Sequence, residues 1–190
     1  MNLRKLAVGP LLAAGILVGC QGGDEAESLD SPTMAFTTDI GYADAADHPV
    51  VADTEDPVAL AFETELERMV NDYRNGLQLD GVKVLPELKD LARAHAIHMA
   101  THEPSFFGHR NPEGDLPEHR ADAARIKFDS IGENIAAGQS AAEAVFRSWL
   151  ESPAHRANLE DPRWTHMGAG HAYLPDSPYV MYWTLDLIQR

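Results

Sequence analysis

A single cysteine, Cys20, stands in a chain of 190 residues. One thiol cannot close a disulfide within its own chain, so any folded part must be held together by a packed apolar core. Val58 to Arg190 is long enough for one domain with one such core. No internal repeat divides it.

The surroundings of that cysteine are informative. Arg4 and Lys5 form a positive start, and Leu6 to Val18 is an apolar run, the pattern of a secretory signal. The run is too short to span a bilayer comfortably. It ends in Leu17-Val18-Gly19-Cys20, which resembles a bacterial lipoprotein signal, with cleavage before Cys20 and lipid on its sulfur; the plainer reading is a signal peptide that happens to contain a cysteine. The expectation is a signal over 1–19, a lipidated Cys20 that anchors an exported protein to the membrane, and a folded domain outside the cytoplasm. Gln21 stands where an aspartate would resemble an inner-membrane retention signal, which favours the outer membrane.

Residues 21 to 58 hold ten acidic residues and no Lys or Arg. Too little apolar surface is present there to offset ordering entropy, so 20–58 reads as an acidic tether. The remaining domain, 59–190, is also acidic and has no basic patch, which argues against nucleic acid and anionic headgroups as partners.

Within that domain, Phe62, Leu66, Met69, Val70 and Tyr73 mark one apolar helix face. Pro86 opens a second helix, with Leu88, Leu91, Ala92, His95, Ala96 and Met99 on its inner stripe. "SFFGHRNPEGD" reads as a loop, and "LPEHRADAARIKF" as a short helix. Ser140 with Glu143 is placed to cap a further helix that carries Val145, Phe146 and Trp149. Two strands, "THMGAGHAYL" and "YVMYWTLDLI", close the chain. Helices first and strands late predict an α+β domain whose terminal hairpin forms a sheet covered by helices.

Three segments share a pattern: "SFFGH" ending in His109, "GEN" containing Glu133, and "W-x-x-S-P-x-H-R-x-N" containing Ser152 and His155. With "N-x-x-R" from Asn71 to Arg74 before them and "MGAG" after, they resemble the CAP superfamily (sperm-coating-protein-like, or SCP, domains), in its bacterial branch without cysteines. The resemblance covers about Phe62 to Leu187. It implies an α-β-α sandwich with an antiparallel sheet flanked by helices, and a cleft holding two histidines and two acids. His109, Glu133 and His155 match three of the four. Ser152 stands where the second acid belongs.

Two imidazoles suit zinc, and Glu133 could then orient or deprotonate a bound water. Alternatively, Glu133 between His109 and His155 forms a hydrogen-bonded cluster that orders loops around the cleft. Asn134 is expected to bond its own loop backbone. His95, His98 and His102 share a helix face but read as packing residues. His166 and His171 are expected at the cleft edge or the surface, and Trp149, Trp164 and Trp183 in the core. The reading favours a non-catalytic envelope module binding a lipid, glycan or protein; the alternative is a zinc-assisted hydrolase using His109, Glu133 and His155.

Overall fold

The computed structural model describes residues 56–102 and 107–190. The signal, Cys20 and the tether up to residue 55 lie outside the described residues. Helix α1 runs from Pro57 to Gly76, with Asp56 accepting from the Val58 amide at its start, so it takes in two residues on the tether side of the expected boundary. A two-residue strand β1 (Lys83–Val84) leads into α2 (Pro86–Thr101), and α3 (Pro117–Ala123) follows the loop. The remaining elements are β2 (Ser130–Ala137), α4 (Ala142–Glu151), α5 (Pro153–Glu160), β3 (His166–Tyr173) and β4 (Met181–Gln189). The cap of α4 is Ala141 without a side-chain bond, so Ser140 does not serve the role its spacing suggested.

The sheet order is β1-β3-β4-β2. β4 pairs antiparallel with both β2 and β3, while β1 runs parallel to β3 through two residue pairs. The hairpin expected at the end of the chain is therefore the centre of a larger sheet. Its third long strand is the segment that contains "GEN".

Alternation along the strands gives each face its own helices. On one face, Ile131, Ile135, Tyr182 and Ile188 pack against Leu88, Leu91, Ala96 and Met99 of α2 and Ala121 of α3. On the other, Ala136, Met167, Ala169, Trp183, Leu185 and Leu187 meet Leu66 and Val70 of α1, Val145, Phe146 and Trp149 of α4, and Leu159 of α5. All three tryptophans are buried there, as expected. Helices on both faces make an α-β-α sandwich.

Helix α2 lies unusually close to β3. A Cβ on Gly168 would sit 2.3 Å from the Lys89 amide nitrogen, and one on Gly170 would sit 2.1 Å from that of Arg93. The two glycines of "MGAG" are there because the helix backbone takes the space of their side chains.

Beyond Met167 the outer side of β3 is closed by carboxylates from α1. Glu67 Oε1 accepts from the Ala169 amide at 3.1 Å and Glu63 Oε1 from that of His171 at 3.2 Å. The same Glu63 holds Arg93 through two bonds, 2.8 and 2.5 Å long, and Lys89 Nζ lies 3.4 Å from both acids. Glu63 is fully buried and Arg93 nearly so.

Candidate functional site

The three residues of "GEN" do three different jobs because they alternate across a strand. Gly132 makes room for the Trp164 ring, which a Cβ would approach to 2.9 Å. Glu133 projects toward α2 and α3, in register with Asp186 of β4. Asn134 projects the other way: its Nδ2 donates to the His155 carbonyl at 3.0 Å and its Oδ1 accepts from Asn158 at 2.9 Å. It ties α5 to the strand, and does not bond a loop as expected. Asn158 also donates to the Glu133 carbonyl, and Trp149 to that of Ile135, so side chains cover the outer edge of β2.

Both carboxylate oxygens of Glu133 are committed. His109 Nδ1 donates to Oε1 at 2.8 Å, and Arg120 Nη2 donates to Oε2. Arg120 also donates to the carbonyls of His109, at 2.7 Å, and Asp115, at 3.0 Å. One guanidinium thus holds the acid and the loop that brings the histidine to it. The second imidazole near Glu133 is that of His95, with Nε2 3.9 Å from Oε1 and 2.9 Å from the Gly108 carbonyl.

This corrects the expected cluster. The structure brings His109 to Glu133 but not the His155 ring, whose backbone carbonyl is what α5 offers to β2. Ser152, partly exposed, ends α4 and begins α5 in an extended conformation, and neither Glu133 oxygen is bonded to it. Arg120, Asp186 and His95 are the members that sequence reasoning missed. Asp186 did leave a signal, being a carboxylate inside the apolar run "YWTLDLI". His171 is a further correction: it is buried, with its ring 4.4 Å from Trp183 and 5.4 Å from Phe62.

Burial raises the proton affinity of both acids at the centre, while the Arg120 charge works against it. The effect is carried furthest in Asp186, where the nearby Glu133 charge adds to burial. Asp186 is therefore the acid that keeps a proton, and Glu133 is the charged partner of Arg120. Burial holds the histidines neutral: His95 is pushed down to about 3, first by desolvation and then by Arg120, and His155 to about 4, by desolvation and then by His109. His109 is lowered for the same leading reason.

These donors can be tested against zinc. Among the described residues, His109 Nε2 and His155 Nε2 are buried without a hydrogen-bond partner, and Glu133 on His109 Nδ1 is the arrangement that orients a metal-bound imidazole. A zinc hydrolase centre calls for three protein ligands and a free base. Among the described residues, no group of three or more His, Cys, Asp or Glu could hold a metal ion, and Glu133 is occupied on both oxygens. The donor set does not fit that centre.

Comparison with known proteins agrees with the architecture. YkwD of Bacillus subtilis is 31% identical over 111 residues, which is 58% of this chain and 42% of YkwD. The membrane protein YlbC of the same organism is 31% identical over 68 residues, or 36% of this chain and 20% of YlbC. The matched part is thus less than half of either relative. An extracellular protein of Bacillus anthracis containing an SCP domain shares the fold with a TM-score of 0.64 at 24% identity, over 75% of this chain and 45% of that one. An outer surface protein of Borrelia burgdorferi does so with a TM-score of 0.61 at 21% identity, over 67% of this chain and 91% of its own. No helix among the described residues is long and apolar enough to cross a membrane. The model of the cysteine-rich secretory protein family matches residues 67–187, more than half of the chain, and this protein belongs to that family, the CAP family.

Proposed function

We propose that this protein is an exported, lipid-anchored CAP-domain module that binds a ligand and does no chemistry on it. The ligand, a lipid, glycan or protein, would meet a cleft lined by His109, Ser152 and His155 above the buried Glu133. The observation that supports this most is the state of Glu133: it is 3% exposed, with one oxygen on His109 and the other on Arg120. A general base has to reach a substrate proton, and this carboxylate is buried with an imidazole on one oxygen and a guanidinium on the other. It fixes the loop that presents His109.

The zinc-assisted hydrolase remains a second reading because the outer nitrogens of His109 and His155 have no partner among the described residues. Calorimetry with zinc, together with melting of Glu133 variants, separates the two. Glu133→Ala leaves Arg120 and His109 without their partner and should cost on the order of 3–5 kcal/mol; Glu133→Gln keeps hydrogen-bonding capacity and should cost less. A tight one-to-one zinc isotherm lost in both His109→Ala and His155→Ala would overturn the non-catalytic reading. The anchor has its own test. Cys20→Ser should release the protein from membranes, and unchanged membrane association with equal incorporation of labelled fatty acid would refute it.

A further inference from the structure

We infer that His98 and His102, at the C-terminal end of α2, form an open surface site for a divalent transition-metal ion, with copper(II) held most tightly. The site is separate from the cleft and does not rest on the binding-module reading. The two residues are four apart, so both imidazoles leave the helix on the same side. Two histidines at this spacing are how a helix offers two nitrogens to one metal ion. Their ring centres stand 5.6 Å apart, with the ring planes at 84°. Metal–nitrogen bonds of roughly 2.0–2.1 Å put the centres of two rings that share a tetrahedral ion about 5 Å apart. The pair is within a small side-chain rotation of chelation.

Hydrogen bonds fix which nitrogen of His102 is free. This residue is exposed, and its Nδ1 lies 3.1 Å from the His98 carbonyl. A carbonyl only accepts, so Nδ1 carries the hydrogen. Thr101 Oγ1 lies 3.3 Å from the same nitrogen and gives its own hydrogen to the Ile97 carbonyl at 2.8 Å, which makes it a second acceptor. Nε2 of His102 is left with the lone pair. An imidazole N–H held by a backbone carbonyl is the bond that orients a metal-binding histidine. His98 is half-buried and turns Nδ1 inward, where it is buried with no partner among the described residues. Its Nε2 is the nitrogen that remains for a ligand.

The surroundings favour a bound cation over a protonated imidazole. Burial holds His98 in its neutral form, and of the neighbouring charges the strongest on it is the Glu113 carboxylate, which favours positive charge there. The pair also sits where the last carbonyls of α2 give the helix its negative end. His95, one turn earlier, takes no part, since its Nε2 faces the Gly108 carbonyl at 2.9 Å. The net charge of −15 draws cations toward the chain as a whole.

The donors select the metal. Calcium and magnesium require oxygen ligands, and two neutral imidazoles offer none. Among the divalent ions that imidazole suits, affinity rises through nickel to copper and falls again at zinc. Two protein ligands leave the other coordination positions to water, so the ion is exchangeable and adds nothing to the fold that α2 lacks without it.

The test is isothermal titration of the anchored chain in detergent with copper(II), nickel(II), zinc(II) and magnesium, beside electron paramagnetic resonance of the copper form. The parent should take up one more equivalent of copper than the His98→Ala/His102→Ala double variant, with nitrogen hyperfine structure that the double variant lacks. Each single variant should weaken this uptake at least about tenfold, while His109→Ala and His155→Ala leave it unchanged. His102 is exposed, so a metal-free melting temperature equal to the parent's in His102→Ala shows that the loss is one of ligation and not of folding. Equal copper uptake by the parent and the double variant would overturn the inference, as would undiminished uptake in both single variants. Uptake kept in His98→Ala but lost in His109→Ala or His155→Ala would assign the metal to the cleft and remove this site. Displacement of copper by magnesium would point to carboxylates and remove it too.

Discussion

Acid should expose the cost of burying His171. Its ring is packed on Trp183 and Phe62, its Nε2 has no partner among the described residues, and desolvation pushes its pKa down to about 4. An unfolded histidine titrates near 6.5. Between the two values the unfolded state binds a proton that the folded state refuses, so stability falls as pH falls. From about pH 8 to about pH 5 the unfolded chain gains roughly 2 kcal/mol from this one imidazole, while the folded chain gains almost nothing. The raised carboxyls of Glu133 and Asp186 act in the opposite sense, since they take up protons first in the folded state. A difference between proteins isolates the histidine. His171→Phe keeps an aromatic ring in the pocket, and its packing penalty does not vary with pH. Urea denaturation followed by tryptophan fluorescence at the two pH values should show the parent losing about 2 kcal/mol more than the variant. Equal losses in the two proteins would mean that this imidazole is not buried in its neutral form, and the argument would fail.

Two other perturbations follow from the packing of β3. Gly170→Ala places a methyl group 2.1 Å from the Arg93 nitrogen and 2.3 Å from the Ala92 carbonyl carbon; helix backbone cannot swing aside as a side chain can, so the cost should reach at least about 3 kcal/mol. A melting temperature equal to that of the parent would refute this close approach. Glu63→Ala strands Arg93 and frees the His171 amide, with an expected loss of about 3–5 kcal/mol in urea denaturation; a loss below about 1 kcal/mol would show the network to be dispensable.

The elements with a clean period were legible before any coordinates. The stripe from Leu88 to Met99 lies on the sheet as its spacing required, and the two late strands lie where their β-branched and aromatic residues placed them. The segment from Ser130 to Ala137 was not legible as a strand, because Gly132, Asn134 and two alanines carry little strand preference of their own. Pairing with β4 and cover from Trp149, Asn158 and Trp164 make it one. The site divides in the same way. His109 and Glu133 were found through local motifs. Arg120, His95 and Asp186 reach Glu133 from three other elements, and no sequence spacing encodes that meeting. His171 looked peripheral because it flanks a glycine, yet strand alternation turns it toward Phe62.

The carboxylates on the outer side of β3 bear on where this domain can be cut. The family match begins at residue 67, ten residues inside α1. A fragment starting there would keep Glu67 but lose Glu63, Phe62 and Leu66. Arg93 would be left as a buried cation without its acid, the His171 amide would be open, and the strand would present an unguarded edge to any neighbouring chain. The stretch by which the family is recognised is therefore shorter than the stretch that holds this network together. The first ten residues of α1 belong to the sheet as much as a strand would, and a soluble fragment for any of these experiments has to begin at or before Asp56.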